Sequence, residues 1–319
     1  MKMKKVACVG ELLIDFVCSD IDANLFEGNN FLKKAGGAPA NVACAVSRLG
    51  GEAKLAAKVG NDPFGQFLID TVKNEKVDTT SVIVDNNLHT TLAFVALEHN
   101  GERDFSFIWG AHDKLQYVEL GESFLDDTCI LHLGAALVDS DIINLYRELI
   151  ISAKNKNILI CFDPNFRDAL WHESKHSRFI VLSREFISHT DIVKLSEEEA
   201  LMISGKTTID EAAETIADLG VKLVLITLGS SGTLMRINGT TSIIPTVKID
   251  AIDSTGAGDA FIGGLLYQIS QDSSILNSTD KLKECVSFAN KVGALTCNKM
   301  GAISALPTIE QVSSFYDQI

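Results

Sequence analysis

Short apolar runs rich in valine, isoleucine and leucine alternate along the chain with longer segments of helical periodicity. We expect strands at residues 5–9, 53–59, 129–133, 158–162, 191–195 and 223–228. We expect helices at residues 38–49, 64–74, 140–153, 177–187, 209–219, 256–269 and 281–296. Several strands are apolar on both faces, as in a parallel sheet that helices cover on both sides. The alternation predicts an α/β fold with a doubly wound, mostly parallel sheet, which binds ligands at the carboxyl ends of its strands.

Two segments interrupt this alternation, because residues 12–35 and 88–108 look like antiparallel strands. In the second segment, residues 91–97 and 103–108 flank a turn at Asn100-Gly101. Such a small β-structure would lie over the ligand end of the sheet as a lid, the alternative being an edge hairpin without function. We therefore expect one domain of residues 1–319 with a β-lid formed by inserts at about 12–35 and 88–112. An exposed lid surface also allows a homodimer through the lid.

The composition and charge of the chain exclude several classes of protein function. The 319 residues carry a net charge of −14 without a basic stripe, which argues against a nucleic-acid partner. No stretch approaches the ~20 apolar residues of a membrane span, and Glu11 and Asp15 interrupt the first apolar run, which indicates a strand rather than a signal peptide. Seven cysteines without a Cys-x-x-Cys pair indicate buried thiols in a reducing compartment, the cytoplasm. They are Cys8, Cys18, Cys44, Cys129, Cys161, Cys285 and Cys297.

The most informative chemistry lies in residues 250–264. Gly256, Ala257 and Gly258 open a predicted helix, and the unpaired amides of a helix start bind anions such as phosphate. Asp259 follows in the first turn, where a carboxylate suits a base that takes a proton from a hydroxyl attacking that phosphate. The alternative is an aspartate that only complements the helix dipole. The apolar residues that follow predict a buried helix start, which favours a site.

Other polar segments follow predicted strands and leave two interpretations open. The Gly-rich turn before Asn41 fits close ligand approach or a tight turn, and Asp15 fits a sugar hydroxyl or a solvated turn. Arg167 could neutralise a phosphate, and residues 227–232 offer hydroxyls and amides to a nucleotide or form a plain hairpin turn. A glutamate in residues 197–199 could hold Mg²⁺ through water or simply cap a helix. Walker A and Gly-x-Gly-x-x-Gly motifs are absent, which disfavours P-loop kinases and Rossmann dehydrogenases.

Residues 36–50 and 253–261, in this order and at this separation, resemble the ribokinase-like (PfkB) family of carbohydrate kinases. Within that family, residues 36–43 and 163–171 look like those of fructokinases, and 2-keto-3-deoxygluconate kinases share part of the pattern. The resemblance implies ATP and Mg²⁺ as cofactors, with K⁺ in addition. It implies that Asp259 is the general base and that Gly256, Ala257 and Gly258 form the anion hole.

The resemblance also assigns binding roles to further residues. It implies sugar binding by Asp15, Gly36, Gly37, Asn41 and Arg167, and ATP binding by Lys194, Thr227, Gly229, Gly232 and Asn290. It implies a water-mediated Mg²⁺ contact for Glu199 and a monovalent-cation site at Asp253, Thr255 and Gly301.

Two departures from the family pattern bear on these roles. Ser196 replaces the asparagine of the family's Asn-x-x-Glu motif, which weakens the metal assignment. Trp109 stands where related fructokinases carry an arginine, and tryptophan can stack on a sugar but cannot pair with a carboxylate. The resemblance thus implies ATP-dependent phosphorylation of a hydroxymethyl group, with fructose favoured over an acidic sugar. The alternatives are a kinase for ketodeoxygluconate or another small sugar or riboside, and a non-catalytic sugar- or nucleotide-binding regulator.

Overall fold

The computed structural model describes residues 4–20, 22–97, 103–134, 140–171 and 175–315. Its strands are β1 Lys5–Val9, β2 Leu13–Cys18, β3 Phe31–Gly36, β4 Ala53–Gly60, β5 Asp78–Asp85, β6 Leu92–Leu97, β7 Arg103–Ile108, β8 Thr128–Leu133, β9 Leu159–Phe162, β10 Ile192–Ser196, β11 Leu223–Thr227, β12 Thr233–Ile237 and β13 Thr240–Ile244. Its α-helices are α1 Ala38–Arg48, α2 Pro63–Asn74, α3 Tyr117–Leu120, α4 Ile142–Asn155, α5 His176–Ile187, α6 Glu197–Ser204, α7 Ile209–Ala217, α8 Ala257–Gln271, α9 Thr279–Thr296 and α10 Ile309–Ser314.

The larger of two sheets has nine strands in the order β13-β12-β11-β10-β9-β8-β1-β4-β5. All neighbours are parallel except at β12 and β13, which run antiparallel to the strands beside them. The predicted α/β class with a mostly parallel sheet is thus confirmed. The edge strands β5 and β13 were not predicted, because their half-exposed sequences mix polar and apolar residues without the continuous apolar run of a central strand.

Helices cover both faces of this sheet, and the alternation of side chains along each strand divides the core in two. In β1, Val6 and Cys8 belong to the core packed under α1, α8 and α9, whereas Ala7 and Val9 belong to the core packed under α4 to α7. A central strand must be apolar on both faces in such a layered fold, which explains the periodicity of the sequence. The parallel arrangement brings the loops that follow these strands to one edge of the sheet.

The second sheet has four strands in the order β3-β2-β6-β7, all within the segments predicted to interrupt the fold. The β2–β3 and β6–β7 pairs are antiparallel, as expected, whereas β2 and β6 join in parallel. Phe16 stacks on Phe94 with ring centroids 5.1 Å apart and meets the ring of Phe64 in α2 at 5.8 Å. These contacts fix the small sheet to the body of the molecule. The turn predicted at Asn100-Gly101 lies outside the described residues.

The thiols differ in part from the expectation. All seven cysteines are free, but only five are buried, and Cys18 and Cys129 are half-buried because each lies near a sheet edge or strand end that neighbouring elements cover incompletely. Among the described residues, no helix has the length and apolar character that crossing a membrane requires.

Candidate active site

The start of α8 lies at the carboxyl edge of the large sheet, and its backbone packs closely against a neighbouring loop. Gly256 is the N-cap residue, with a left-handed φ of 75°, and a Cβ at this position would lie 2.7 Å from the Cβ of Ala302. Only glycine combines this φ with this contact without strain. The amide of Ala257 donates to the Ser254 carbonyl at 3.2 Å, so the amides of Gly256 and Gly258 (the amide cradle) are the ones that this helix start can offer to an anion.

Asp259 lies in the first turn of α8 with only 8% of its surface exposed. Burial raises the pKa of this carboxyl to about 6, against the opposing effects of a hydrogen bond from Asn41 and the positive charges of Arg167 and Lys194. The Asn41 Nδ2 group donates to Asp259 Oδ2 at 2.8 Å. The carboxylate is thus held in one orientation and can accept a proton near neutral pH, which suits a general base.

A buried ion pair lies beside the same helix start. Lys194 Nζ is 3.0 Å from Asp163 Oδ2, and a Cβ built on Gly258 would lie 3.1 Å from that ammonium. The lysine thus points its charge at the amide cradle. Asp163 was not singled out as a site residue, although its position directly after a buried strand and before a proline was a usable signal.

The predicted sugar-binding residues lie around this carboxylate. Asp15 is in the interior of β2 rather than at the end of the first strand, and its carboxylate lies so close to Gly36 that a Cβ there would be 1.9 Å from Asp15 Oδ2. Burial raises the pKa of Asp15 to about 6, while Arg167 acts in the opposite direction. Arg167 itself is exposed, and its charge also reaches Asp259. Gly37 is the N-cap of α1, the helix that carries Asn41.

Glu11 was missed as a site residue and lies among these groups. It follows β1, is 6% exposed, and has a pKa raised to about 7 by burial. Asp259 raises this pKa further and Arg167 lowers it. In the sequence, Glu11 served only as evidence against a signal peptide, since nothing local marks it as a neighbour of residue 259.

Of the predicted ATP-binding residues, Lys194 lies in β10, whereas the other four lie at the end of β11, in the turn after it and in α9. Gly229 and Gly232 both have positive φ, and a Cβ at Gly232 would lie 2.1 Å from the carbonyl oxygen of Ile244. The Thr227 hydroxyl donates to the Leu195 carbonyl at 3.2 Å. The Asn290 amide accepts from the Thr233 hydroxyl at 2.7 Å and donates to the Ile244 carbonyl at 2.9 Å. Asn290 therefore joins α9 to the strands.

Glu199 joins two segments of backbone at the same edge. Its two carboxylate oxygens accept the amides of Phe166 at 2.7 Å and Ser196 at 2.6 Å, while the Ser196 hydroxyl accepts the Glu199 amide at 3.1 Å. This is the capping box that the sequence offered as the alternative to a metal role. The replacement of asparagine by Ser196 is thus accommodated, because serine completes the cap.

The predicted monovalent-cation residues come together around one carboxylate. Asp253 Oδ1 accepts the amide of Thr255 at 2.9 Å and its hydroxyl at 2.6 Å, and Asp253 Oδ2 accepts the amide of Gly301 at 2.8 Å. Two loops distant in sequence are thereby joined directly beside Gly256. An anionic loop in this position fits a cation that stabilises the turn before α8.

Trp109 lies at the end of β7, 43% exposed, with its ring stacked on that of His112 at a centroid distance of 5.3 Å. The Thr91 hydroxyl lies 2.6 Å from His112 Nδ1 and accepts the Gly110 amide at 3.0 Å. By strand register, Phe107 lies in the same row as Asp15, two strands away, so this aromatic edge borders the proposed sugar side. The Trp109 ring also stacks on that of Phe107 at 5.7 Å, so two aromatic neighbours restrict its rotation while 43% of its surface stays exposed.

A cavity of about 650 Å³ opens at the opposite, amino end of the sheet. It is lined in part by Ile130, Leu159 and Ile192 and contains none of the candidate site residues. We place the site at the carboxyl edge, because the convergence of buried charged groups there outweighs the size of a pocket elsewhere.

The glycine-capped start of α8, the buried carboxylate of Asp259 and the buried ammonium of Lys194 together suit phosphoryl transfer. Residues 3–309 match the pfkB family carbohydrate kinases. The chain therefore belongs to this family.

Individual relatives agree with that membership. Fructokinase-1 of Zea mays is 39% identical over 311 residues, which cover 96% of each chain. The structure of fructokinase from Xylella fastidiosa with bound ATP aligns with a TM-score of 0.88 at 31% identity, over 99% of both chains. A double-mutant fructokinase from Vibrio cholerae O395 bound to fructose, ADP and a potassium ion aligns with a TM-score of 0.86 at 33% identity, over 98% of both chains.

Proposed function

We propose that this carbohydrate kinase transfers the γ-phosphoryl group of ATP to a hydroxymethyl group of D-fructose. The observation that carries the proposal is the Asp259 carboxylate, which is buried, oriented by Asn41 and placed directly after the glycine-rich start of α8. Fructokinase-1 of Zea mays is 39% identical to the chain, and similar fructokinase structures from Vibrio cholerae O395 are bound to fructose.

Different residues act on the sugar and on the phosphoryl group. Asp15, Asn41 and Arg167 surround the proposed sugar position, and the Asp259 carboxylate takes the proton of the attacking hydroxyl. The amides of Gly256 and Gly258 and the ammonium of Lys194 face the phosphoryl group as it moves in line toward that oxygen, while the Ala257 amide is held by the Ser254 carbonyl. Positioning and fixed charge, rather than covalent chemistry, supply the acceleration.

The donor groups fit Mg²⁺ carried by the nucleotide better than a metal held by the protein. The described residues contain no group of three or more histidine, cysteine or acidic side chains able to hold a metal ion. Glu199 and Asp163 lie at the edge of the cradle and could contact a hydrated Mg²⁺ through water, as this ion retains much of its hydration shell. When bound, Mg²⁺ neutralises phosphate charge.

K⁺ fits the loop pair of Asp253 and Gly301, where it would counter the carboxylate and steady the helix start. The similar Vibrio cholerae structure holds a potassium ion, which supports this proposal.

We propose that the four-stranded sheet is a lid within a single domain of residues 1–319, and that it also forms a homodimer interface. In this sheet, Val17, Leu32 and Val95 lie in one row across the strands, and Leu32 is 50% exposed. A second copy would cover this apolar row. Replacing Leu32 with glutamate is then expected to convert dimer to monomer in analytical ultracentrifugation, and a wild-type monomer would exclude the interface. The free thiols favour the cytoplasm as the location.

The test of the function is ADP release with ATP, Mg²⁺ and K⁺ against fructose, ketodeoxygluconate, ribose, tagatose and adenosine. We expect strong release with fructose and little with the others. Turnover of another sugar alone would replace fructose but keep the kinase, and no turnover with any acceptor would favour a regulator. Trp109→Arg sharpens the assay, because a cation at the sugar edge is expected to raise relative activity toward the acidic ketodeoxygluconate.

A further inference from the structure

Helix α1 carries Asn41, yet it begins without a capping side chain of its own. Its N-cap residue is Gly37, and its first turn contains no acidic residue. By contrast, α2 is capped by Asp62, α7 by Thr208 and α9 by Ser278, each from the position directly before the helix. The first amides of a helix need acceptors, so α1 must obtain one from elsewhere in the chain.

Glu11 supplies that acceptor from the turn after β1. Its Oε1 atom accepts the amide of Ala38, the first residue of α1, at 3.3 Å in a buried contact. Its main chain packs on the N-cap as well, since a Cβ on Gly37 would lie 2.3 Å from the Glu11 carbonyl oxygen. Side chain and backbone of Glu11 together therefore fix where α1 starts.

Asn41 lies one turn into this helix and is the residue that orients Asp259. Its amide nitrogen donates to Gly37 O at 2.9 Å, and its side chain donates to Asp259 Oδ2 at 2.8 Å. A displacement of the first turn of α1 would therefore move the Asn41 side chain relative to the carboxylate. Catalytic geometry is sensitive to displacements of this kind.

We propose that Glu11 is a positioning residue of the catalytic pair: its carboxyl group caps α1 from the turn after β1 and so holds the Asn41 amide against Asp259. This inference rests on the proposed role of Asp259 as the base. Glu11 acts through α1 and Asn41.

The same arrangement couples Glu11 to the base electrostatically. The charged groups that act on this pair come from several elements: Asp15 from β2, Asp163 and Arg167 from the segment after β9, and Lys194 from β10. Burial places the pKa of Glu11 at about 7 and that of Asp259 at about 6, and each carboxylate disfavours ionisation of the other. Because Glu11 has the higher pKa of the two, it is still largely neutral where Asp259 loses its proton.

Two substitutions separate capping from a general structural role. Glu11→Ala removes the acceptor, and we expect kcat to fall about tenfold. This is the change in rate that results when the free-energy cost of losing one helix cap is added to the activation free energy. Glu11→Gln keeps an oxygen for the Ala38 amide but carries no charge, so kcat is expected to stay within about threefold of wild type. Its kcat/KM profile should keep the acid limb of the wild type, because Glu11 has the higher pKa and is already largely neutral where Asp259 ionises.

Thr208→Ala is the matched control, because it removes the cap of α7, outside the candidate site. It is expected to leave kcat and the pH profile unchanged. Thermal unfolding of each variant confirms that the folded enzyme is being assayed.

Three results would overturn the proposal: wild-type kcat in Glu11→Ala, an equal loss in Glu11→Gln, or a rise in the KM for sugar at unchanged kcat, which would make Glu11 a sugar ligand. Failure of the proposed function would appear differently, as full turnover in Asp259→Asn with Glu11 intact.

Discussion

Two groups of acidic side chains, one at the amino end of the large sheet and one beside the start of α8, have opposite pKa shifts. At the amino end, Lys5 contacts Asp78 at 2.6 Å and Asp127 at 3.0 Å, and Lys54 also pairs with Asp127. Burial alone would raise the pKa of Asp78, but the hydrogen bond from Lys5 lowers it to about 2. At the carboxyl end, burial prevails and raises the pKa of Asp15 and Asp259 to about 6 and that of Glu11 to about 7.

The opposite pKa shifts indicate that one group of carboxylates stabilises the fold and that the other is suited to proton transfer. A carboxylate with a depressed pKa stabilises the folded state at neutral pH, whereas one with a raised pKa costs stability there and gains proton affinity. The same fold thus uses paired charges at the amino end to hold strands together, whereas beside α8 the desolvated carboxylate of Asp259, the proposed base, lies close to the buried Lys194–Asp163 pair. Four predictions test this division.

The largest effect is expected for the base. Asp259→Asn should lower kcat by at least ~10²-fold, since the amide cannot accept the proton of the attacking hydroxyl. Coupled measurement of ADP release checks this. Asp78→Asn is the matched control at the amino end and should retain the kcat of the folded enzyme. Near-normal turnover in a clean preparation of Asp259→Asn would remove the residue from its proposed role.

The two buried lysines sharpen the comparison. Lys194→Met should lower kcat by about 10²-fold, because the cradle loses its cation. Lys54→Met breaks the pair with Asp127 and should instead reduce the free energy of unfolding by about 2 kcal/mol, below the usual cost of a fully buried pair because Asp127 is partly exposed. Measurements of kcat and of urea unfolding on both variants test this expectation. An equal loss of activity in both would show that the two lysines do not differ in role.

The raised pKa of Asp259 predicts that a variant without this carboxylate is more stable than the wild type, although it loses activity. The pKa is about 6 in the folded state against an ordinary value of 3.8, so the stability associated with the neutral form is present below 3.8 and lost as pH rises through about 6. Asp259→Asn stays neutral throughout and should be more stable than wild type by about 2 kcal/mol at pH 8. Melting curves at pH 8 and pH 4 should differ from those of wild type only at the higher pH.

Asp78 should show the opposite dependence and the smallest effect. Its folded-state pKa of about 2 lies below the ordinary 3.8, so its stabilisation is present above 3.8 and lost as pH falls toward 2. Asp78→Asn should cost about 1 kcal/mol at pH 7, discounted for its solvent exposure. The difference from wild type in the free energy of unfolding, measured with urea, should disappear between pH 4 and pH 2. A difference that stays constant with pH would show that the substitution acts through packing.

Local patterns were sufficient for much of the fold. The central strands were predictable because each is apolar on both faces, and the edge strands β5 and β13 were not, because one half-exposed strand resembles many polar segments. Gly256 and Asp259 could be recognised because amide cradle and base are neighbours in sequence. The parallel joining of β2 to β6 has no local signal at all.

The sequence by itself determined the central strands, most of the long helices, the glycine-rich start of α8 and the resemblance to the family, since these depend on periodicity and on adjacent residues. Only the tertiary structure decided which side chains meet: Asn41 with Asp259, Lys194 with Asp163, and Glu11 with the first amide of α1. Partners of this kind are brought together by strand order and helix packing, and burial in that packing then raises the pKa of the base. A one-dimensional pattern contains neither the distance nor the desolvation on which that chemistry depends.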